Sequence, residues 1–171
     1  MEDSIVLIGF MGSGKSSVGK CLANTLGVTH IDTDSLIELN NKMTINEIFE
    51  KKGESFFRKE EYKVIHGLKK DIPVVISCGG GSVLEEDNVD YLHSIGVIVY
   101  LRAKYESIVN RLNDSTNRPL FRNEDDDFQK RTKDLMHKRE NIYAKACDFF
   151  IDTDDLNPDE VATKIKKMLK Y

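Results

Sequence analysis

Cysteine is scarce in this 171-residue chain, and what there is lies scattered: Cys21, Cys78 and Cys147, with no C-x-x-C pair and no metal-ligand spacing. That pattern argues against a disulfide framework or a zinc site and makes a reduced, cytoplasmic protein the simplest expectation. Histidine is as thin. His30, His66, His93 and His137 are far apart and are expected to be structural or superficial rather than metal ligands. No apolar run approaches the length of about 20 residues that a membrane span needs. Basic charge is not in excess: 25 Lys and Arg stand against 29 Asp and Glu, a net charge of −4, so nucleic acid is not an expected partner. Internal repeats, low-complexity tracts and Pro- or Ser-rich linkers are also lacking, and one domain over residues 1–171 is expected. The opening Met-Glu-Asp leads straight into a short apolar run. It lacks the basic start and longer apolar region of a secretory leader, so none is expected. What remains is 40% hydrophobic and 32% charged, the balance of a soluble globular domain large enough to bury a core.

Against that background one stretch stands out: Gly9-Phe10-Met11-Gly12-Ser13-Gly14-Lys15-Ser16, which fits G-x-x-x-x-G-K-S/T. It follows the apolar run Ile5-Val6-Leu7-Ile8 and precedes a helical pattern beginning near Ser17, which is the strand–loop–helix setting a phosphate-binding loop requires. Glycines let backbone N–H groups turn inward around a polyphosphate, and the positive end of the following helix points at it. Gly12, Ser13, Gly14, Lys15, Ser16 and Ser17 are therefore the nucleotide-binding candidates. Lys15 supplies a cation for the β- and γ-phosphates and Ser16 a hydroxyl for Mg²⁺. The plainer reading is an ordinary glycine turn, but the complete motif in its proper setting points to ATP.

Five short β-rich runs recur at 4–9, 29–32, 73–78, 97–101 and 148–152, with helical patterns between them. Thr44-Ile45-Asn46-Glu47 reads as a capping box, and Asn157-Pro158 as an N-cap with a first-turn proline. Strands alternating with helices, most of the strands nearly all apolar, predict an α/β fold: a parallel sheet covered on both faces. In such sheets ligands bind beyond the carboxyl ends of the strands. The phosphate loop, Asp32-Thr33-Asp34, Gly79-Gly80-Gly81 and Asp152-Thr153 should then share one edge.

Asp32 and Asp34 can divide two tasks. One can help hold hydrated Mg²⁺ and the other can accept a proton from an attacking hydroxyl; a solvated turn that caps a helix is the alternative. Arg58 and Glu61 lie three apart on a predicted helix and could pair to aim a guanidinium at an anion, although spacing alone favours an ordinary surface bridge. Three consecutive glycines after an apolar strand suit a backbone that approaches a ligand closely, or else a flexible turn. The long polar stretch 113–127 carries Arg118, Pro119 and Arg122 and reads as a lid or as a plain surface loop. Arg139 lies on the helix that follows and by itself suggests only a solvated face.

Together these pieces resemble shikimate kinase along almost the whole chain: G-F-M-G-S-G-K-S at 9–16, D-T-D at 32–34, G-E-x-x-F-R-x-x-E at 53–61, Gly79-Gly80-Gly81, Arg118-Pro119-Leu120 and Arg139-x-x-x-Tyr143. The resemblance implies a three-layer α/β/α P-loop fold with a five-stranded parallel sheet and a mobile lid, like that of nucleoside monophosphate kinases. It also implies ATP-dependent phosphorylation of the 3-hydroxyl of shikimate, on the route to chorismate and aromatic amino acids, by a monomer that uses Mg²⁺. By motif, Asp34 would bind the acceptor hydroxyls. Arg58, Gly80, Gly81 and Arg139 would hold the ring and carboxylate, with Glu61 supporting Arg58. Arg118 would be the lid arginine and Arg111 would flank adenine. Asp32 would serve Mg²⁺ with Ser16, and Lys15, Asp34 and Arg118 would be catalytic. The loop after the last strand reads Asp152-Thr153-Asp154-Asp155-Leu156, without the arginine that some relatives carry near adenine. A nucleotide switch is disfavoured, because Asn41-Lys42-Met43-Thr44 lacks the aspartate of N-K-x-D and no D-x-x-G occurs. A gluconate kinase or a nucleoside monophosphate kinase is the nearer alternative.

Overall fold

The computed structural model describes residues 3–113 and 126–171. Strands and helices alternate: β1 (Ser4–Ile8), α1 (Lys15–Leu26), β2 (Thr29–Asp32), α2 (Thr33–Asn41), α3 (Ile45–Lys52), α4 (Glu54–His66), β3 (Val74–Ser77), α5 (Glu86–Ile95), β4 (Gly96–Arg102), α6 (Tyr105–Asn113), α7 (Asp126–Ala146), β5 (Phe149–Asp152) and α8 (Pro158–Met168). The five strands form one parallel sheet in the order β2-β3-β1-β4-β5. All five predicted strands are present to within one or two residues.

The period of two in a strand sorts β1 between two cores. Val6 and Ile8 join a cluster with Ile65, Leu92, Ile95, Ile108, Leu112 and Tyr143, so α4 to α7 cover that face. Ile5 and Leu7 join Val18, Leu22, Val161 and Ile165 from α1 and α8 on the other. Each of these four β1 side chains is at most 1% exposed, and each contributes about 2 kcal/mol of hydrophobic stabilisation. A smaller cluster of Ile37, Ile48, Phe57 and Val64 holds α2, α3 and α4 together. The predicted capping boxes form at Thr44 and Asn157. The short helix α2 begins directly at the end of β2, with Asp32 as its N-cap accepting from the Ser35 amide at 3.2 Å. Asp34 therefore lies inside the first turn of α2, and Asp32 is the residue that caps it.

The register places Leu7, Ser77 and Asp32 in one row across β1, β3 and β2. Helix α1 leaves β1 on one face of the sheet and α5 follows β3 on the other. The phosphate loop and the three glycines therefore lie side by side beyond the carboxyl ends of β1 and β3, where a Cβ at Gly80 would come 3.7 Å from Gly9 O, at the edge where ligands of such sheets bind. Among the described residues, no helix is long and apolar enough to cross a membrane.

Candidate active site

The loop from β1 to α1 is built on backbone that only glycine adopts easily. Gly12 and Gly14 have φ of 77° and 97°, and Gly14 is the N-cap of α1. Helix α6 lies against the loop: a Cβ at Gly12 would meet Leu112 at 3.0 Å and Ile108 at 3.1 Å. Ser13 is buried, and its amide donates to the Phe10 carbonyl at 3.2 Å. The Lys15 ammonium donates to the carbonyls of Gly9 and Phe10 at 2.8 and 2.9 Å, at the mouth of the loop. Ser16 and Ser17 are exposed in the first turn of α1. With Gly14 as its N-cap and Ser16 and Ser17 exposed in its first turn, α1 presents the positive end of its dipole beside a lysine, a setting that favours an anion.

Asp32 lies beside this loop. Ser16 Oγ donates to Asp32 Oδ2 at 2.6 Å while Asp32 Oδ1 accepts from Ser35. By accepting the hydrogen bond of the Ser16 hydroxyl, Asp32 leaves a serine lone pair directed away from itself, which suits a hard cation. Among the described residues no group of three or more His, Cys, Asp or Glu side chains converges.

Asp34 packs against the first of the three glycines. A Cβ at Gly79 would lie 2.5 Å from Asp34 Oδ1 and 3.1 Å from Glu61 Oε1. The Gly79 amide is held by the buried Thr33 hydroxyl at 3.0 Å. Thus α2 and the loop after β3 fix the aspartate between them.

The pair predicted from spacing as a surface bridge is instead an interior one. Arg58 Nη1 donates to Glu61 Oε2 at 2.6 Å, and Glu61 is only 1% exposed. Arg58 Nη2 reaches Glu54 at 3.2 Å from the exposed side. Burial opposes the charge on Arg58, but the hydrogen bond and attraction of Glu61, then of Glu54, outweigh it and raise its pKa above the ordinary value. The guanidinium lies against Gly81, where a Cβ would fall 2.6 Å from Nη2. Spacing gives the face of a helix but not what covers it, and here the cover is the glycine loop.

The same loop meets α7. Tyr143, 1% exposed, donates to the Gly80 carbonyl at 2.5 Å, and Arg139 Nη1 approaches that carbonyl at 3.4 Å. Burial raises the Tyr143 pKa while Arg139 opposes the rise, so the phenol stays a neutral donor. Arg139 is therefore partly buried at the loop and not on a solvated face. Two guanidinium groups, Arg58 and Arg139, meet a single three-glycine turn.

Arg111, on α6, bridges the phosphate loop and the loop after β5. It donates to Thr153 Oγ1 at 3.0 Å, to the Thr153 carbonyl, and to Ser13 O at 3.5 Å. Thr153 is buried and its amide is tied to Arg102 O at 2.8 Å. The loop that lacks an arginine of its own thus receives one from α6. Arg118, and the predicted lid apart from its ends in α6 and α7, lie outside the described residues. Gly79 and Thr153 carry no assignment from sequence. The glycine run and the position after a strand were the available signals, but neither indicates which side chain it meets.

A glycine-built phosphate-loop motif, a serine–aspartate hydrogen bond beside it and two arginines at a neighbouring glycine turn, on a five-stranded parallel sheet, are the arrangement of a P-loop kinase of small molecules. The shikimate kinase family profile matches residues 11–170. A shikimate kinase from Thermodesulfovibrio yellowstonii is 48% identical over 164 residues, covering 96% of this chain and 93% of that protein. The structure of shikimate kinase from Acinetobacter baumannii in complex with shikimate aligns over 99% of this chain and 94% of its own, with TM-score 0.89 and 33% identity. That of Aquifex aeolicus aligns over 98% and 96%, with TM-score 0.81 and 37% identity. The chain belongs to the shikimate kinase family, ATP-dependent kinases that act on shikimate.

Proposed function

We propose that this chain transfers the γ-phosphate of ATP to the 3-hydroxyl of shikimate, giving shikimate 3-phosphate and ADP. The observation that carries this reading is the meeting of Arg58 and Arg139 at the three-glycine turn, beside the phosphate loop. A guanidinium plane donates two parallel hydrogen bonds to a carboxylate. Shikimate offers a carboxylate at one end of its ring and hydroxyls at the other. Held by Arg58, Arg139 and the backbone of Gly80 and Gly81, it would present its hydroxyls to Asp34. Asp34 would orient the attacking hydroxyl and take its proton.

The loop residues Gly12, Ser13 and Gly14 and the first turn of α1, with Ser16 and Ser17, would cradle the phosphates. Lys15 would leave its two loop carbonyls for the transferring phosphoryl group. Arg111, fixed by Thr153, would lie beside the base. Ser16, oriented by Asp32, would hold Mg²⁺, with Asp32 reaching it through water; when bound, the ion would neutralise charge on the β- and γ-phosphates. Arg118 is assigned by motif to the closing segment 113–127. Three free cysteines support a reducing, cytoplasmic setting.

The test is ADP release with Mg²⁺-ATP and, in turn, shikimate, gluconate and nucleoside monophosphates. Release is expected with shikimate alone. Release with gluconate or a nucleotide, and none with shikimate, would overturn the reading.

A further inference from the structure

Beside the Arg58–Glu61 pair lies a chain of buried polar groups to which the phosphoryl-transfer chemistry assigns no task. Ser82 is fully buried, and its hydroxyl donates to Glu61 Oε1 at 2.8 Å. Asn88, 1% exposed and in the first turn of α5, donates through Nδ2 to the Ser82 carbonyl at 3.0 Å. The Ser82 amide in turn donates to Gly79 O at 3.1 Å. The turn 79–82 is therefore pinned at both ends, and its serine hydroxyl sits under Glu61.

A carboxylate with both oxygens unclaimed can rotate about its last bond and accept from a guanidinium in several geometries. Here Oε1 is claimed by Ser82, which leaves Oε2 for Arg58 Nη1 at 2.6 Å. Gly81 lies against the same guanidinium, where a Cβ would fall 2.8 Å from its central carbon. One tight turn thus fixes both the carboxylate that Arg58 pairs with and the surface on which Arg58 rests. Burial makes this effective: Glu61 at 1% exposure has no water to replace a lost donor cheaply.

We propose that Ser82 is a positioning residue for the acceptor substrate: by holding Glu61, it sets the plane of Arg58 and hence the affinity for the substrate's carboxylate. The inference rests on the reading that Arg58 binds shikimate. Ser82 touches neither the phosphate loop nor, by this account, the transferring group, so its effect falls on acceptor binding and not on nucleotide binding or turnover.

The experiment is a double-mutant cycle read by calorimetric titration of shikimate and, separately, of an ATP analogue, together with kcat and KM. S82A is expected to weaken shikimate binding by about five- to tenfold, part of the worth of a hydrogen bond to a charged group. Binding of the ATP analogue and kcat should stay within about twofold of wild type, a margin below the cost of a typical lost hydrogen bond. R58K should weaken shikimate by more, and in that background S82A should add little, because its effect passes through Arg58. Equal weakening of both ligands by S82A, no change for either, or full additivity with R58K would overturn the proposal. If R58K leaves shikimate affinity unchanged, the substrate reading itself fails, and the positioning role of Ser82 falls with it.

Discussion

Replacing Gly79 with alanine adds one methyl group at a point where the structure leaves no room for it. The added carbon would lie 2.5 Å from Asp34 Oδ1 and 3.1 Å from Glu61 Oε1, whereas ordinary contact begins near 3.4 Å. The backbone at Gly79 is not left-handed, so alanine is not strained there and the clash alone decides the outcome. The carboxylate of Asp34 is the movable partner and must retreat by about 1 Å, and a displacement of about 1 Å at a reacting group can lower the rate by about 10²-fold. The fold should survive, because the end of a side chain moves and not the backbone. Steady-state kcat with both substrates saturating is the assay, with thermal melting as the control. The same methyl at Gly81 meets the Arg58 guanidinium instead. Gly81→Ala should therefore raise KM for shikimate more than it lowers kcat, the reverse of Gly79→Ala. A folded Gly79→Ala protein with kcat within threefold of wild type would refute the placement of Asp34 at the reacting hydroxyl.

Asp34→Asn keeps the shape and removes the base, and should lower kcat by about 10²–10⁴; a loss below about tenfold, measured at saturating substrate, would leave only an orienting role. Tyr143→Phe removes the buried donor to Gly80 O. It should cost about 1 kcal/mol, seen as a drop of about 2–4 °C in Tm, with a rise in KM for shikimate. At the ends of β4 and β5, Arg102 and Asp152 form a two-pronged pair at 2.5 and 2.8 Å. The hydrogen bond from Arg102 is the main reason Asp152 is held below its ordinary 3.8. The stability this lends is fully present above 3.8 and is lost as pH falls through the lower folded value. With the side chains 39% and 54% exposed, the gap between wild type and Asp152→Asn in urea unfolding should be below about 1 kcal/mol at pH 7 and should close in acid.

The strand–helix alternation was legible because its signals are local. Apolar runs, the capping boxes at Thr44 and Asn157 and the glycines of the phosphate loop each set their own backbone. The line-up of site segments on one sheet edge also followed, since parallel strands put their carboxyl ends together. What sequence did not carry was cover. The spacing of Arg58 and Glu61 indicates a shared helix face, and only the turn 79–82 lying over that face converts a surface bridge into a buried one. Arg139 was illegible for the same reason, because its environment is the carbonyl of Gly80, 59 residues away. The Arg111–Thr153 bridge spans 42 residues and rests on α6 and β5 being neighbours of the phosphate loop, a fact of topology rather than of pattern. Asp32 and Asp34 were recognised as a pair with separable tasks, and the start of α2 at Thr33 divides them: the first caps the helix and orients Ser16, the second points at Gly79.

The most direct test of the central claim is the position of phosphorus in the product. Wild-type protein with Mg²⁺-ATP and shikimate is followed by a phosphorus–proton correlation spectrum. The account predicts a single new phosphate ester coupled to the proton on carbon 3, formed in step with ADP. An ester at another hydroxyl, or ADP formed with only inorganic phosphate beside it, would contradict it.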